Sequence, residues 1–73
     1  MYYEIMFNEN HKHNKVGSIA SSISEARMMV ERAFAGIDNV KVDKYNKISK
    51  RYLVTNDQDQ TVAIIWKMSG HIA

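Results

Sequence analysis

Two histidines in one polar run are the residues of this chain that best suit metal binding. His11 and His13 lie two positions apart within residues 8–15, so in an extended segment both imidazoles would point to the same side and could share a metal ion. Zinc sites normally take three or four protein ligands. Glu9 is the only carboxylate nearby, His71 lies near the opposite terminus, and the chain has no cysteine. We therefore interpret the run as a solvated turn and expect neither a metal site nor a cofactor.

The serine, acidic and glycine residues do not form a catalytic pattern. Serines crowd residues 18–24, just before a helical pattern, where their hydroxyls usually cap the helix or bond to local backbone. Nucleophilic catalysis needs a nucleophile beside a base and an oxyanion donor pair, and no motif marks one. The acidic residues are dispersed apart from Asp57 and Asp59, and the three glycines are isolated. We expect a protein that is not an enzyme.

One basic interval interleaved with tyrosine is typical of a nucleic-acid-binding module. Its residues lie in the predicted hairpin 41–52 and are Lys41, Lys44, Tyr45, Lys47, Lys50 and Arg51. Such cations neutralise phosphates, while exposed aromatic rings stack on unpaired bases. Asp43 interrupts the run, the net charge is only +2, and lysines on exposed strands also protect sheet edges. Nucleic acid is therefore our alternative partner, behind a protein.

Length and composition limit what can position these residues. With 73 residues, 45% hydrophobic and 25% charged, the chain fits a single small globular domain, residues 1–73. A domain of this size has a thin stability margin, which favours extra burial against a partner. The apolar stretch 61–68 is far shorter than the roughly 20 residues that cross a bilayer, and residues 1–4 do not resemble a signal peptide. We expect a cytoplasmic protein without membrane contact.

The pattern of apolar residues predicts an α+β fold. Tyr2–Phe7 alternates as a strand, and residues 16–20 either form a second strand paired with it or lead directly into the helix. A helical stripe predicts a helix over residues 22–36, with Ser22 and Glu25 as its capping box.

Three further strands are predicted after the helix, at residues 40–43, 48–55 and Thr61–Met68, with a tight turn at residues 46–47 and a frayed tail at residues 69–73. The expected fold is a small antiparallel sheet of three to five strands with one amphipathic helix packed on one face, in the order β-(β)-α-β-β-β.

The last strand is apolar on both sides, which suggests that a partner covers the sheet face opposite the helix. We assign Val62, Ile64 and Trp66 to the helix side, and Ala63 and Ile65 to the outer side. The resulting hypothesis is a non-catalytic accessory, regulatory or inhibitor protein that forms a homodimer through the outer face or an edge strand and binds an unidentified protein partner. The predicted interface residues are Tyr2, Met6, Met28, Tyr52, Ala63 and Ile65.

Overall fold

One helix lies across a single face of a five-stranded antiparallel sheet. The computed structural model describes residues 1–70, so His71 and the end of the predicted tail lie outside the described residues. The elements are β1 (Tyr2–Phe7), β2 (Ile19–Ala20), α1 (Ile23–Phe34), β3 (Val40–Val42), β4 (Arg51–Asn56) and β5 (Thr61–Met68). The strand order is β2-β1-β5-β4-β3. The predicted fold class and element order are confirmed.

The two long strands β1 and β5 pair at the centre of the sheet, although they lie at opposite ends of the chain. The edges are short: β2 has two residues and β3 has three. Of the predicted second strand only Ile19 and Ala20 pair with β1, opposite Glu4 and Tyr3. Short edge strands offer few free backbone groups to another chain.

The helix begins as its capping residues predict. Ser22 is the N-cap, and its Oγ accepts a hydrogen bond from the backbone N–H of Glu25 at 3.1 Å. The Glu25 carboxylate accepts instead from the hydroxyl of Ser21 at 2.7 Å, so only half of the predicted reciprocal box forms. The helix ends at Phe34, and Gly36 follows in the left-handed conformation with φ 76°, which glycine adopts at little cost.

The core lies between α1 and the sheet face that carries Tyr3 and Ile5. Ile5 pairs with Ile65 and Phe7 with Ala63, and paired residues of antiparallel strands point to the same side. Ile65 and Ala63 are buried in this core with the helix residues. The predicted sides of Ile64, Trp66, Ala63 and Ile65 were therefore wrong.

A bulge in β5 explains why Val62 is nevertheless buried as predicted. Val54 pairs with Ala63 and Thr55 with Thr61, which leaves Val62 as an extra residue in β5. At a bulge two consecutive residues oppose one residue of the neighbouring strand. Val62 and Ala63 accordingly both belong to the core cluster, together with Val54.

The segment between β3 and β4 is an ordered turn rather than part of a strand. The Asn46 Oδ1 atom accepts hydrogen bonds from the backbone N–H groups of Ile48 and Ser49 at 2.9 and 3.0 Å. Lys50 then adopts a left-handed conformation with φ 56°. The strand begins only at Arg51, so the prediction of a strand from residue 48 and of a two-residue turn was wrong.

Candidate interaction surface

The sheet face opposite the helix carries mostly apolar side chains, and no helix of residues 1–70 covers it. We call it the outer face. It is formed by the residues that alternate with the core positions, namely Tyr2, Glu4, Met6, Ile19, Lys41, Arg51, Leu53, Ile64, Trp66 and Met68. Met6 is 54% exposed, and Leu53, Ile64 and Trp66 are partly exposed. A contiguous apolar patch of this kind marks an interaction surface more often than isolated exposed residues do.

At one end of the outer face the apolar surface continues into a groove. The groove has a volume of about 410 Å³, with Met6 and Ile64 beside the polar residues Asn8, Asn10 and Thr61. Asn8 is held in place because its side-chain amide donates to the backbone carbonyl of Thr61 at 3.0 Å. The outer face is therefore shaped, with a recess at the end where β1 finishes.

Three residues form a row across the three central strands of the outer face. Trp66 of β5 pairs with Glu4 of β1 on one side and with Arg51 of β4 on the other. The Arg51 guanidinium carbon lies 5.2 Å from the centre of the indole ring, a cation–π arrangement. The indole Nε1 is buried without a hydrogen-bond partner among residues 1–70, so the ring rather than its N–H is presented. The row carries a negative end, an aromatic middle and a positive end.

The structure separates the predicted interface residues into four places. Tyr2 and Met6 lie on the outer face as predicted. Ala63 and Ile65 lie buried in the core rather than on the outer face. Met28 is exposed on the helix, away from the sheet.

Tyr52, the remaining predicted interface residue, lies on the helix side of the sheet because it pairs with Ile65. Its ring packs near those of Tyr3 and Tyr45, with centroids 6.4 and 5.0 Å away. Burial raises the pKa of Tyr52 above the ordinary value of 10.0, Tyr3 and Tyr45 raise it further, and the Arg27 guanidinium opposes the shift. The prediction that Tyr52 belongs to the outer surface was wrong.

The raised pKa of Tyr52 gives a pH dependence that can be measured. The neutral phenol is favoured in the folded state, so its contribution to the free energy of unfolding is complete below pH 10 and is lost as pH rises through the folded pKa. Alkaline titration followed by tyrosinate absorbance should show a step above the ordinary tyrosine range, absent from Tyr52→Phe. Arg27→Gln should move that step to higher pH. A late step that survives in Tyr52→Phe would contradict this assignment, and Tyr2→Phe is the matched control.

The predicted basic residues do not form one continuous surface. Lys41 and Arg51 both lie on the outer face but at opposite ends of β4, since Lys41 pairs with Thr55 and Arg51 is the first residue of that strand. Tyr45 is partly buried, with its ring against Tyr52 and the Lys67 Nζ 5.4 Å from its centre. Lys44, Lys47 and Lys50 remain together, on the ordered turn between β3 and β4. Sequence reasoning missed Lys67, which joins them only because β5 ends beside this turn.

The two histidines of the polar run lie in different surroundings. His13 stacks on Phe7 with ring centres 4.1 Å apart, and its Nδ1 lies 2.8 Å from the backbone oxygen of Asn14. His11 is partly exposed. Within residues 1–70, no three histidine, aspartate, glutamate or cysteine side chains come together as a metal site would require. The stacking gives His13 a packing role at the edge of the core.

No helix among residues 1–70 is long and apolar enough to cross a membrane. Comparison of the chain with protein-family models, with curated proteins and with solved structures gave no match. Any function must therefore be argued from the surfaces themselves.

Proposed function

We propose that this chain is a non-catalytic interaction protein that forms a symmetric homodimer through its outer face. The observation that carries the proposal is the row of Glu4, Trp66 and Arg51 across three adjacent strands. A surface with opposite charges at equal distances on either side of an aromatic ring is complementary to a rotated copy of itself. Self-complementarity is what a two-fold interface requires.

The charges select one orientation of the two-fold axis. When two sheets pack face to face, the axis lies in the plane between them. An axis parallel to β5 that passes through Trp66 places Glu4 of each copy over Arg51 of the other. An axis perpendicular to the strands would instead place Glu4 over Glu4 and Arg51 over Arg51, which like-charge repulsion disfavours. We therefore propose the parallel axis, with the usual twist of about 30° between packed sheets.

The size of the outer face suits such a dimer. Five strands spaced about 4.8 Å apart span about 19 Å from the first to the last, and β5 is eight residues long. Packing this area against a second copy gives an interface in the lower part of the range for specific complexes. The contact would cover the apolar side chains of Met6, Leu53 and Ile64, which otherwise face water. The two-residue and three-residue edge strands favour the face over edge pairing.

A charge swap tests both the interface and its axis. Glu4→Arg and Arg51→Glu each place like charges opposite one another in the proposed dimer, and each should raise the dissociation constant about tenfold or more. The double variant restores opposite charges and should recover most of the affinity. Sedimentation equilibrium gives the constants, and the single tryptophan gives a fluorescence signal from the centre of the interface. Glu31→Arg, on the exposed surface of the helix, is the matched control and should dimerise like the wild type.

Two results would overturn the proposal. The wild-type protein could sediment as a monomer at every concentration, which would exclude self-association. Alternatively, the two single variants and the double variant could all dimerise equally well, which would exclude the outer face or the parallel axis. Thermal unfolding of each variant separates loss of dimer from loss of fold.

A further inference from the structure

The turn that connects β3 and β4 presents an isoleucine almost completely to water. Ile48 is 96% exposed, more than any other large hydrophobic residue among residues 1–70. The turn is fixed by the Asn46 side chain, and the Lys50 and Arg51 backbone N–H groups also donate to the Asn46 carbonyl oxygen at 2.8 and 3.3 Å. An ordered backbone therefore holds this aliphatic side chain outward. Neither the core nor the outer face accounts for it.

Several lysines lie near the exposed isoleucine along the chain. Lys44, Lys47 and Lys50 lie on the same turn, and the backbone N–H of Lys67 donates to the Lys50 carbonyl at 3.2 Å. Met1 lies beside them, because Met1, Lys50 and Lys67 line one shallow pocket of about 220 Å³. The terminal ammonium of Met1 donates to the Gly70 carbonyl at 2.9 Å. Met1 is 66% exposed. We call this end of the sheet the basic end; its members are Met1, Lys44, Lys47, Ile48, Lys50 and Lys67.

Most carboxylates on or next to the sheet lie at the end opposite the basic end. Asp57 and Asp59 follow the last residue of β4, and Asp38 and Asp57 line one pocket there. Glu9 lies in the turn after β1, at that same end. Asp43 is the acidic residue within the basic turn. Lys12 and Lys15 follow Glu9 in the same loop, so this acidic end carries charges of both signs, whereas lysines outnumber carboxylates at the basic end.

We propose that the basic end binds the surface of anionic phospholipid bilayers. Ile48 and Met1 would enter the boundary between headgroups and acyl chains, while the lysine ammonium groups contact lipid phosphates and carboxylates. Exposed apolar residues with lysines nearby are what binding to a charged bilayer surface requires, because the free energies of apolar insertion and of electrostatic attraction add. The sequence-based expectation was a protein without membrane contact, and this surface association is distinct from a membrane span.

The exposed apolar groups favour lipid over nucleic acid at this end. Nucleic acid binding would use aromatic rings that are free to stack on bases. The one aromatic residue of the turn, Tyr45, is partly buried against Tyr52 and faces the Lys67 ammonium. Ile48 and Met1 supply aliphatic groups instead, which suit hydrocarbon and offer bases no stacking surface. The lysines alone would serve either partner.

Vesicle binding by four variants tests the proposal. The wild-type protein should co-sediment with phosphatidylcholine vesicles that contain phosphatidylserine, and much less with pure phosphatidylcholine. Ile48→Ser should lower the partition coefficient about tenfold, and the pair Lys47→Gln with Lys50→Gln about twentyfold or more. Ile37→Ser is the matched control, since Ile37 is 46% exposed near the acidic end, and Lys12→Gln with Lys15→Gln is the control for charge. Both controls should bind like the wild type.

The outcomes separate lipid from other ligands. Equal binding to both kinds of vesicle, or no binding, would overturn the proposal. Salt-dependent binding of an oligonucleotide pool that ignores Ile48→Ser, together with weak vesicle binding, would assign the basic end to nucleic acid instead. Because the variants leave the outer face unchanged, their dimer dissociation constants should match that of the wild type. A negative result in the vesicle assay would therefore not contradict the proposed dimer.

Discussion

Replacing Ile65 with lysine should unfold the domain. Ile65 is completely buried and pairs with Ile5 at the centre of the core. A lysine there must either bury an unpaired charge or disrupt the packing of the core, at a cost on the order of 5 kcal/mol. A domain of 73 residues has a total stability of only about 4–11 kcal/mol. Circular dichroism during urea denaturation should show most of the folded signal lost before urea is added, or a midpoint close to zero urea.

The same substitution one residue earlier should have a different effect. Ile64 lies on the outer face and is only partly buried, so Ile64→Lys should keep the fold and instead abolish the proposed dimer. The pair of variants differs only in the side of the sheet that receives the charge. If Ile65→Lys remained folded while Ile64→Lys unfolded, the assignment of sheet faces would be inverted. A folded, dimeric Ile64→Lys would leave the faces correct and the dimer proposal wrong.

Phe34→Ala should also lower the free energy of unfolding strongly. Phe34 is completely buried at the end of α1, and its ring lies 6.1 Å from Phe7 and 6.0 Å from His13. Truncation removes the largest completely buried side chain of residues 1–70 and leaves a cavity, at a cost of about 3–5 kcal/mol. His13 also loses a ring against which it packs. Urea titration should therefore give a much lower midpoint, and amide exchange of residues 8–15 should accelerate.

Phe34→Leu provides the matched comparison. Leucine fills much of the same space, so the cost should stay near 1–2 kcal/mol, less than half that of alanine. If alanine and leucine destabilised the protein equally, the cost would come from loss of the aromatic ring rather than from the cavity. If neither had an effect, the packing described for the end of the helix would be wrong.

Period-two and helical patterns were sufficient to predict the elements of this fold. The strands Tyr2–Phe7 and Thr61–Met68 and the helix were predicted closely, because each carries its own apolar pattern and a polar break at its ends. Alternation divides a strand into two sides but does not say which side meets the helix. In β5 the larger side chains, Ile64 and Trp66, were assigned to the core. The register with β1 and the bulge at Val62 instead bury Val62, Ala63 and Ile65.

The candidate surfaces depended on contacts that the sequence does not display. Ile48 has the β-branched side chain of a strand residue, but the hydrogen bonds to the Asn46 side chain place it in a turn. Lys67 and Met1 join the basic end because the first and last strands are neighbours. The row that includes Glu4 and Arg51 likewise exists only through the pairing of both with Trp66. Strand order and register, rather than local propensity, assembled these surfaces.

The row of Glu4, Trp66 and Arg51 also determines how the proposed dimer would be oriented on a bilayer. An axis parallel to the strands keeps both basic ends on the same side of the dimer, so two Ile48 turns would point at one plane. A dimer of this kind is bivalent, and once one turn is attached the second acts at a high effective concentration. By mass action a charged surface would in turn favour the dimer over the monomer. Dimers bound to a bilayer would then dissociate far less readily on dilution than dimers in solution.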